Sequence, residues 1–434
     1  MKTTGHEITL TIKDLAFGGN GVGRADGRVC FVPFTIPGDE VIARIVGVKK
    51  NYLECELVRV LSPSPDRQAP LCPLFGICGG CSLQHLSYPA QLKWKKNILI
   101  ESLRRIGGIP DPPVADIIPS PREFGYRNRM RFTWIPGTGI GLYKRGTHEK
   151  VPVERCPILE ESLNRLIPEV NSSLLSGHYS PDYPTRVHDD HIRMPDRIEL
   201  TMDIDGNTNV RFLDDSKPSG RDAGRDGRQH KNPGKPAHRH QRSSADDSHR
   251  IDTEEFSQVN HDINSLMGKN VQHTVKQFPG AQVSAGSLVI DLFCGDGNFS
   301  LPLARDGYRI LGLDISGSGI EKAETALRGM PGHCDSASRY KKADIYSVLA
   351  NYRRDLEQAD ILIADPPRAG LGSIAAELAV CRVPRILYIS CIPPILARDL
   401  RYLTNNGYNL LSILPFDMFP QTFHIESLAI LSVF

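Results

Sequence analysis

Apolar and polar positions alternate at the start of the chain. Ile8, Leu10 and Ile12 are separated by polar residues, the period of a half-buried strand. The turn Gly18-Gly19-Asn20-Gly21 follows, then the run Val29-Cys30-Phe31-Val32, and further strands are predicted at 41–46 and 53–60. Short strands, glycine turns and no helical period predict an OB-like β-barrel over residues 1–62, ended by Pro63 and Pro65. The period lengthens over 90–106. Leu92, Leu99, Leu103 and Ile106 fall on one face, Lys93, Asn97, Arg104 and Arg105 on others, and Gly107-Gly108 stops the run, so a helix is expected. Residues 120–212 mix both periods and predict a small α+β unit. From about residue 256 strand candidates at Leu288–Leu292, Arg309–Asp314, Ile361–Ala364 and 386–389 alternate with helical stretches. That alternation predicts a doubly wound, Rossmann-like sheet with its ligand at the carboxyl ends of the strands.

One stretch breaks the pattern. Residues 214–250 are Gly, Pro, Ser, His and charge with almost nothing apolar, which predicts a disordered insertion. Three regions result: a barrel at 1–62, a central α+β region at 70–255 that carries the insertion, and a C-terminal α/β domain at 256–434. Composition fits this multidomain α/β reading, with 40% hydrophobic and 24% charged residues in 434. The net charge of +2 does not advertise nucleic-acid binding, so any basic surface must be local. No apolar run is long enough for a membrane span and MKTTGHEITL has no signal-peptide core, so a cytoplasmic protein without membrane contact is expected. Ten cysteines in a reducing compartment point to metal or catalysis rather than disulfides.

The first chemical motif is Asp291-Leu292-Phe293-Cys294-Gly295-Asp296-Gly297-Asn298-Phe299, between a predicted strand and a helix. Gly295 and Gly297 let the backbone approach a ligand because no Cβ intervenes. A nicotinamide site would show G-x-G-x-x-G, whereas Ser300 holds the third glycine position; the string is typical of S-adenosylmethionine methyltransferases. Asp314 closes the next strand, where an acid can accept hydrogen bonds from two ribose hydroxyls, and Asp344 sits where a third strand could end, near an adenine amino group.

Ile361–Ala364 then runs into Asp365-Pro366-Pro367-Arg368, whose prolines fix where the carboxylate points. Cys391 follows Tyr388-Ile389-Ser390 directly, with a helix expected at 395–403. A thiol at a helix N-terminus should have a lowered pKa, although an inert buried cysteine is the plainer alternative. Glu426 is a lone acid in the apolar stretch after Phe419-Pro420-Gln421-Thr422-Phe423-His424-Ile425. It is either a strand-edge ion-pair partner or a buried carboxyl with a raised pKa, suited to proton transfer.

Cys72, Cys78 and Cys81 form C-x5-C-x2-C, and Cys156 follows in Arg155-Cys156-Pro157. Four thiolates suit tetrahedral zinc or a [4Fe–4S] cluster, and spacing does not decide between them. Residues 121–150 carry seven basic residues against two acids: Arg122, Arg127, Arg129, Arg131, Lys144, Arg145 and Lys150 against Glu123 and Glu149. Tyr126, Phe132, Trp134 and Tyr143 are interleaved. This reads as an RNA-contact face with stacking aromatics, or as a solvated strand face with its aromatics in the core.

On these residues the chain resembles the RNA uracil-C5 methyltransferase family over nearly its whole length apart from 214–250. The first sixty residues are similar to that family's TRAM domain, and Phe256-Ser257-Gln258-Val259-Asn260 to its motif before the catalytic fold. The resemblance implies S-adenosylmethionine as cofactor, contacted by Gln258, Phe293, Asn298, Asp314, Asp344 and Asp365. It implies Cys391 as nucleophile, Glu426 as base, Asp365 holding the uracil ring, and a flipped target base. The string C-G-G-C-S-L-Q-H at 78–85 is similar to the family's iron–sulfur motif, which implies [4Fe–4S] on Cys72, Cys78, Cys81 and Cys156 in place of zinc. The implied partner is structured RNA rather than DNA, 23S ribosomal RNA first and transfer RNA as the alternative, with a monomer as the working expectation. A cytosine-C5 methyltransferase is a further rival, set apart by its Pro-Cys nucleophile motif. One departure stands out: Ile392 and Ile395 replace the Asn or Asp and the Thr usual around the nucleophile, which keeps open a catalytically weakened, RNA-binding assembly factor.

Overall fold

The computed structural model describes residues 3–176, 196–213, 258–278, 284–330 and 338–433. The insertion expected at 214–250 lies outside the described residues, as do Phe256 and Ser257.

The alternating N-terminal stretch forms a six-stranded sheet in the order Glu7–Thr11, Glu40–Val48, Tyr52–Ser62, Arg28–Val32, Gly21–Ala25, Asp14–Leu15. Ile8, Leu10, Cys30, Val32, Val41, Ala43 and Leu53 form its interior. The sheet curls tightly: a Cβ on Gly23 would stand 2.5 Å from Leu10 Cδ1 and 2.9 Å from the Thr11 carbonyl, so only glycine allows these strands to cross so closely. A second sheet is antiparallel throughout, ordered Thr208–Leu213, Arg197–Met202, Arg129–Ile135, Gly139–Tyr143, Lys150–Pro152. The helix Glu161–Ser176 covers one face with Leu163, Ile167, Val170 and Leu174, spaced at the helical period.

The third sheet has seven strands in the order Arg339–Lys342, Arg309–Asp314, Leu288–Leu292, Ile361–Ala364, Arg385–Ser390, Glu426–Ser432, Asn409–Phe416. The first five run parallel, and Glu426–Ser432 is antiparallel to both its neighbours. The doubly wound expectation holds, with an antiparallel edge pair added.

The helix expected at 90–106 is Tyr88–Arg105, with a different buried face. Gln91, Lys95, Ile98, Leu99, Ser102 and Leu103 point inward, while Ile106 lies just past the end and is exposed. Periodicity counts apolar residues and therefore passes over a face built around a buried glutamine and lysine. This helix packs on the C-terminal helix Pro393–Asn405, so Leu99 and Leu103 share one core with Leu396, Leu400 and Leu403. Chain order grouped it with the central region; its contacts tie it to the seven-stranded sheet.

Candidate active site

Three strand ends meet at one rim. Ile361–Ala364 delivers Asp365, Arg385–Ser390 delivers Cys391, and the reversed strand starts at Glu426. Ser390 pairs with Ser427, so Cys391, one step further, comes beside Glu426. Each influences the next electrostatically. Burial, then the charges of Glu426 and Asp365, push the Cys391 thiol up to about 12. Burial, then Asp365, raises Glu426 well above the ordinary carboxyl value. Burial, then Asp314, lifts Asp365 to about 7. Of its two readings, Glu426 fits the buried carboxyl with a raised pKa. The expectation for Cys391 is corrected: its helix begins at Pro393, as a helix N-terminus argument requires, but burial beside Glu426 and Asp365 raises the thiol instead of lowering it. Arg368 pulls the thiol the other way.

The neighbouring end of the cleft is built by the glycine turn. Phe293 takes a left-handed φ of 64°, a conformation costly for a non-glycine residue and therefore imposed by its surroundings. Its ring lies 5.4 Å from that of Tyr346, whose hydroxyl donates to the Gly370 carbonyl at 2.7 Å. At Gly295, φ 55°, a Cβ would meet nothing within 4 Å, so the turn faces open space. Asp314 accepts from the backbone N–H groups of Gly295 at 3.0 Å and Ser316 at 2.6 Å, which fixes its carboxylate at the rim with lone pairs to spare. Asp344 caps the start of Ile345–Val348 and accepts from Ser347 Oγ at 2.8 Å. An acid at the second strand end, a turn facing space and an aromatic pair fit a nucleoside cofactor.

Gln258, Phe293, Asp314, Asp344, Asp365, Cys391 and Glu426 all line one cleft of about 1690 Å³. Asn298 does not: it is exposed, and its amide pairs with that of Asn264 at 2.9 Å. Asp291, beneath the glycine turn, was not singled out as a site residue. It is buried, accepts from Ser300 Oγ at 2.5 Å and is pushed up to about 7, chiefly by burial. Arg368 was also passed over, although it stood in the quoted Asp-Pro-Pro-Arg motif.

Cys72, Cys78, Cys81 and Cys156 line the far side of the same cleft. Among the described residues no three His, Cys, Asp or Glu side chains converge tightly enough to hold a metal ion. The four thiols are nonetheless near enough to act on one another. Burial pushes Cys81 up to about 12 and Cys156 to about 11, against hydrogen bonds from Gln84 and from the Ile158 backbone and with a smaller rise from the other cysteines.

The basic stretch divides. Arg129 and Arg131 both donate to Glu199, at 2.6 and 2.8 Å; Arg122 binds Glu160 and Asp262; Lys150 donates to the Trp134 carbonyl. Arg145 donates to Asn20 and lies 4.7 Å over the Phe34 ring, joining barrel to cleft. Tyr126, Phe132 and Trp134 are core residues, as the plainer reading had it, and only Tyr143, 48% exposed, remains available for stacking. Arg155, Arg197 and Arg211 also line the cleft.

A family model described as tRNA (Uracil-5-)-methyltransferase matches residues 245–433, and one described as TRAM domain matches residues 1–58. A Hahella chejuensis protein named 23S rRNA (uracil(1939)-C(5))-methyltransferase RlmD is 30% identical over 98% of this chain and 96% of its own length. The chain belongs to the RNA uracil-C5 methyltransferase family. Within that S-adenosylmethionine-dependent family, an Azoarcus protein of the same name as the Hahella one is 31% identical over 97% of this chain and 99% of its own. An Aquifex aeolicus relative named as an uncharacterized RNA methyltransferase is 34% identical over 98% of both. Among solved structures, that of the Pyrococcus abyssi tRNA (uracil-54, C5)-methyltransferase with S-adenosyl-L-homocysteine shares the fold, with a TM-score of 0.67 at 24% identity over 97% of this chain and 99% of that one. Among the described residues no helix is long and apolar enough to cross a membrane.

Proposed function

We propose that this chain forms 5-methyluridine in 23S ribosomal RNA in the cytoplasm, with Cys391 as nucleophile, Glu426 as base and Asp365 steering the uracil ring. The observation that carries this is the meeting of the Cys391 thiol and the Glu426 carboxyl at adjacent strand ends, in the cleft that also holds Phe293, Gly295 and Asp314.

Carbon 5 of uracil is too weak a nucleophile to take a methyl group unaided. The Cys391 thiolate bonds to carbon 6, and the ring double bond's electrons move onto carbon 5 and the O4 enolate. Carbon 5 takes the methyl. Glu426 then accepts the carbon 5 proton, the electrons of that bond restore the ring double bond, and the sulfur–carbon bond breaks to return the thiolate. S-adenosylmethionine, when bound, supplies the methyl group and a positive charge. Burial and the two neighbouring acids disfavour the Cys391 thiolate, and that charge would offset them. Arg368 works in the same direction as the cofactor, drawing the thiol down. Asp365, neighbour to both Cys391 and Glu426, is placed to hold the ring between them. Gln258, Asp314 and Asp344 are assigned to the cofactor, Asp314 for its ribose.

Support for ribosomal RNA comes from the relatives named for 23S rRNA, which match the chain end to end. The cleft arginines Arg155, Arg197 and Arg211 suit a phosphate backbone, and the target base must leave its stack to reach Cys391. We assign Cys72, Cys78, Cys81 and Cys156 to a [4Fe–4S] cluster. Support for this is the string C-G-G-C-S-L-Q-H at 78–85, similar to the family's iron–sulfur motif, and the presence of all four cysteines in one cleft. Anaerobically purified protein should be brown with about four irons; stoichiometric zinc overturns the assignment.

RNA carrying 5-fluorouridine tests the chemistry, because fluorine cannot leave as a proton. The wild type should form a cofactor-dependent covalent adduct that Cys391→Ala abolishes; an adduct that survives this substitution refutes the mechanism. Loss of a 5-methyluridine from transfer RNA, and none from 23S RNA, in a deletion strain would reassign the substrate.

A further inference from the structure

Residues 417–425, which lead into Glu426, contain no helix or strand. They are held instead from outside the seven-stranded sheet. Four successive carbonyls each meet a different donor. Met418 O accepts from Asn260 Nδ2 at 3.2 Å, and Phe419 O from Lys95 Nζ at 3.0 Å. Pro420 O accepts from the Tyr126 hydroxyl at 3.0 Å, and Gln421 O from the backbone N–H groups of Ser82 and Leu83 at 3.1 and 3.0 Å. Gln91 binds Gln421 twice: its Nε2 donates to Gln421 Oε1, and its Oε1 accepts from Gln421 N, both at 3.0 Å. Gln421 itself adopts φ 68°, a left-handed conformation that a non-glycine residue keeps only when its surroundings impose it. Lys95 and Asp417 form an ion pair at 2.5 Å with both side chains fully buried.

The nucleophile has separate supports. Ile392 N donates to Ser390 Oγ at 3.4 Å. Two residues before Ser390, the Tyr388 hydroxyl donates to Asp399 Oδ2 at 2.7 Å, on the helix that follows Cys391. Asp399 also accepts from Leu371 N at 2.8 Å, just beyond the Asp-Pro-Pro-Arg corner. Cys391 and Asp365 are thus braced by the strand and helix on either side of them, and the approach to Glu426 by Asn260, the helix Tyr88–Arg105, the Ser82–Leu83 backbone and Tyr126.

We propose that Gln91, Lys95 and Tyr126 are positioning residues for Glu426, acting on the step that removes the carbon 5 proton and releases the thiolate. They have far less hold on attack by Cys391 and on methyl transfer. This rests on the roles given above to Cys391 and Glu426. Loosening the brace lets the carboxyl drift from the ring, and proton transfer depends steeply on that distance. The buried pair is a costly feature that hydrophobic replacement would often match for stability. Its second bond, from Lys95 to Phe419 O, is what an apolar substitute cannot supply.

The test uses full-length Tyr126→Phe and Gln91→Leu, and the paired variant Lys95→Met with Asp417→Leu, each in a single turnover with S-adenosylmethionine and substrate RNA. Two rates are followed: adduct formation on 5-fluorouridine RNA, which reads attack and methyl transfer, and release of ordinary methylated RNA. Adduct formation should stay within about twofold of wild type while release slows about tenfold to a hundredfold, so that methylated protein–RNA adduct accumulates on denaturing gels. Equal slowing of both rates, or unchanged release, overturns the proposal. Should Gln91→Leu not fold, Tyr126→Phe, which loses a single hydroxyl, decides alone. A wild type that forms no 5-fluorouridine adduct overturns the roles of Cys391 and Glu426, and this proposal with them.

Discussion

Glu199 and Glu426 are both glutamates on strands and both nearly inaccessible, 1% and 4% exposed. Glu199 sits between Arg129 and Arg131, which hold its carboxyl below the usual range against the opposing effect of burial. Among the described residues Glu426 has no ion pair, and burial with Asp365 nearby pushes it well the other way. A buried acid given two cations is a structural joint: it ties Arg197–Met202 to Arg129–Ile135 and stays ionised. A buried acid given only other acids is costly to the fold and ready to exchange a proton. The same contrast separates the two ends of the cleft, arginine-rich at the central sheet and acid-rich at the seven-stranded one.

The sharpest way to break this comparison is to neutralise each glutamate. Glu426→Gln should lower turnover about 10²–10⁴-fold, the span of general-base effects, with methylated adduct accumulating on ordinary RNA; rapid turnover by this variant removes Glu426 from its role. The same substitution should raise stability above pH 4.5, because the fold no longer has to bury a carboxyl that the unfolded chain ionises. Glu199→Gln should do the reverse. It leaves Arg129 and Arg131 facing a neutral amide, and should cost about 1–3 kcal/mol in urea melts, reduced from a fully buried case because Arg131 is about a third exposed. Turnover per folded molecule should barely change.

The pH dependence of stability sharpens the contrast. Between the ordinary value of 4.5 and its raised value, folded Glu426 binds a proton that the unfolded chain has released, so its contribution falls as pH rises above about 4.5. Asp365 acts likewise from 3.8 up to about 7. Glu199 has the opposite sign: its contribution is present above 4.5 and is lost as pH falls through its lowered value. Relative to wild type, Glu426→Gln should therefore flatten the alkaline limb of a stability–pH curve and Glu199→Gln the acid limb; exchanged limbs would invert the reading. The smallest effect is expected from Tyr143→Ala, which should raise the KM for RNA about fivefold, the lower end of one stacked base, without altering kcat. An unchanged KM would leave the arginine-rich end with no stacking residue.

Local pattern made much of this legible. Leu288–Leu292, Arg309–Asp314 and Ile361–Ala364 are strands with the expected bounds, because parallel buried strands are continuous apolar runs. Cys391 and Glu426 stood out as polar residues at the ends of such runs. Effects that depend on residues far apart in the chain were not legible. The Cys391 thiol rises because Glu426 and Asp365 face it, and no rule about helix ends contains that fact. Nothing in the local pattern marks Gln91 and Lys95 as buried, since their partners Gln421 and Asp417 lie more than three hundred positions away. Tyr126, Phe132 and Trp134 belong to the core because the helix Glu161–Ser176 covers their face, again a contact between distant segments.

The reversed strand Glu426–Ser432 lies between Arg385–Ser390 and Asn409–Phe416 rather than outside them. The base is therefore wedged into a slot flanked on both sides, with Cys391 at the mouth of one flank and Phe416 at the other. Fraying of either flank would unseat the carboxyl, so this corner of the sheet tolerates little slack.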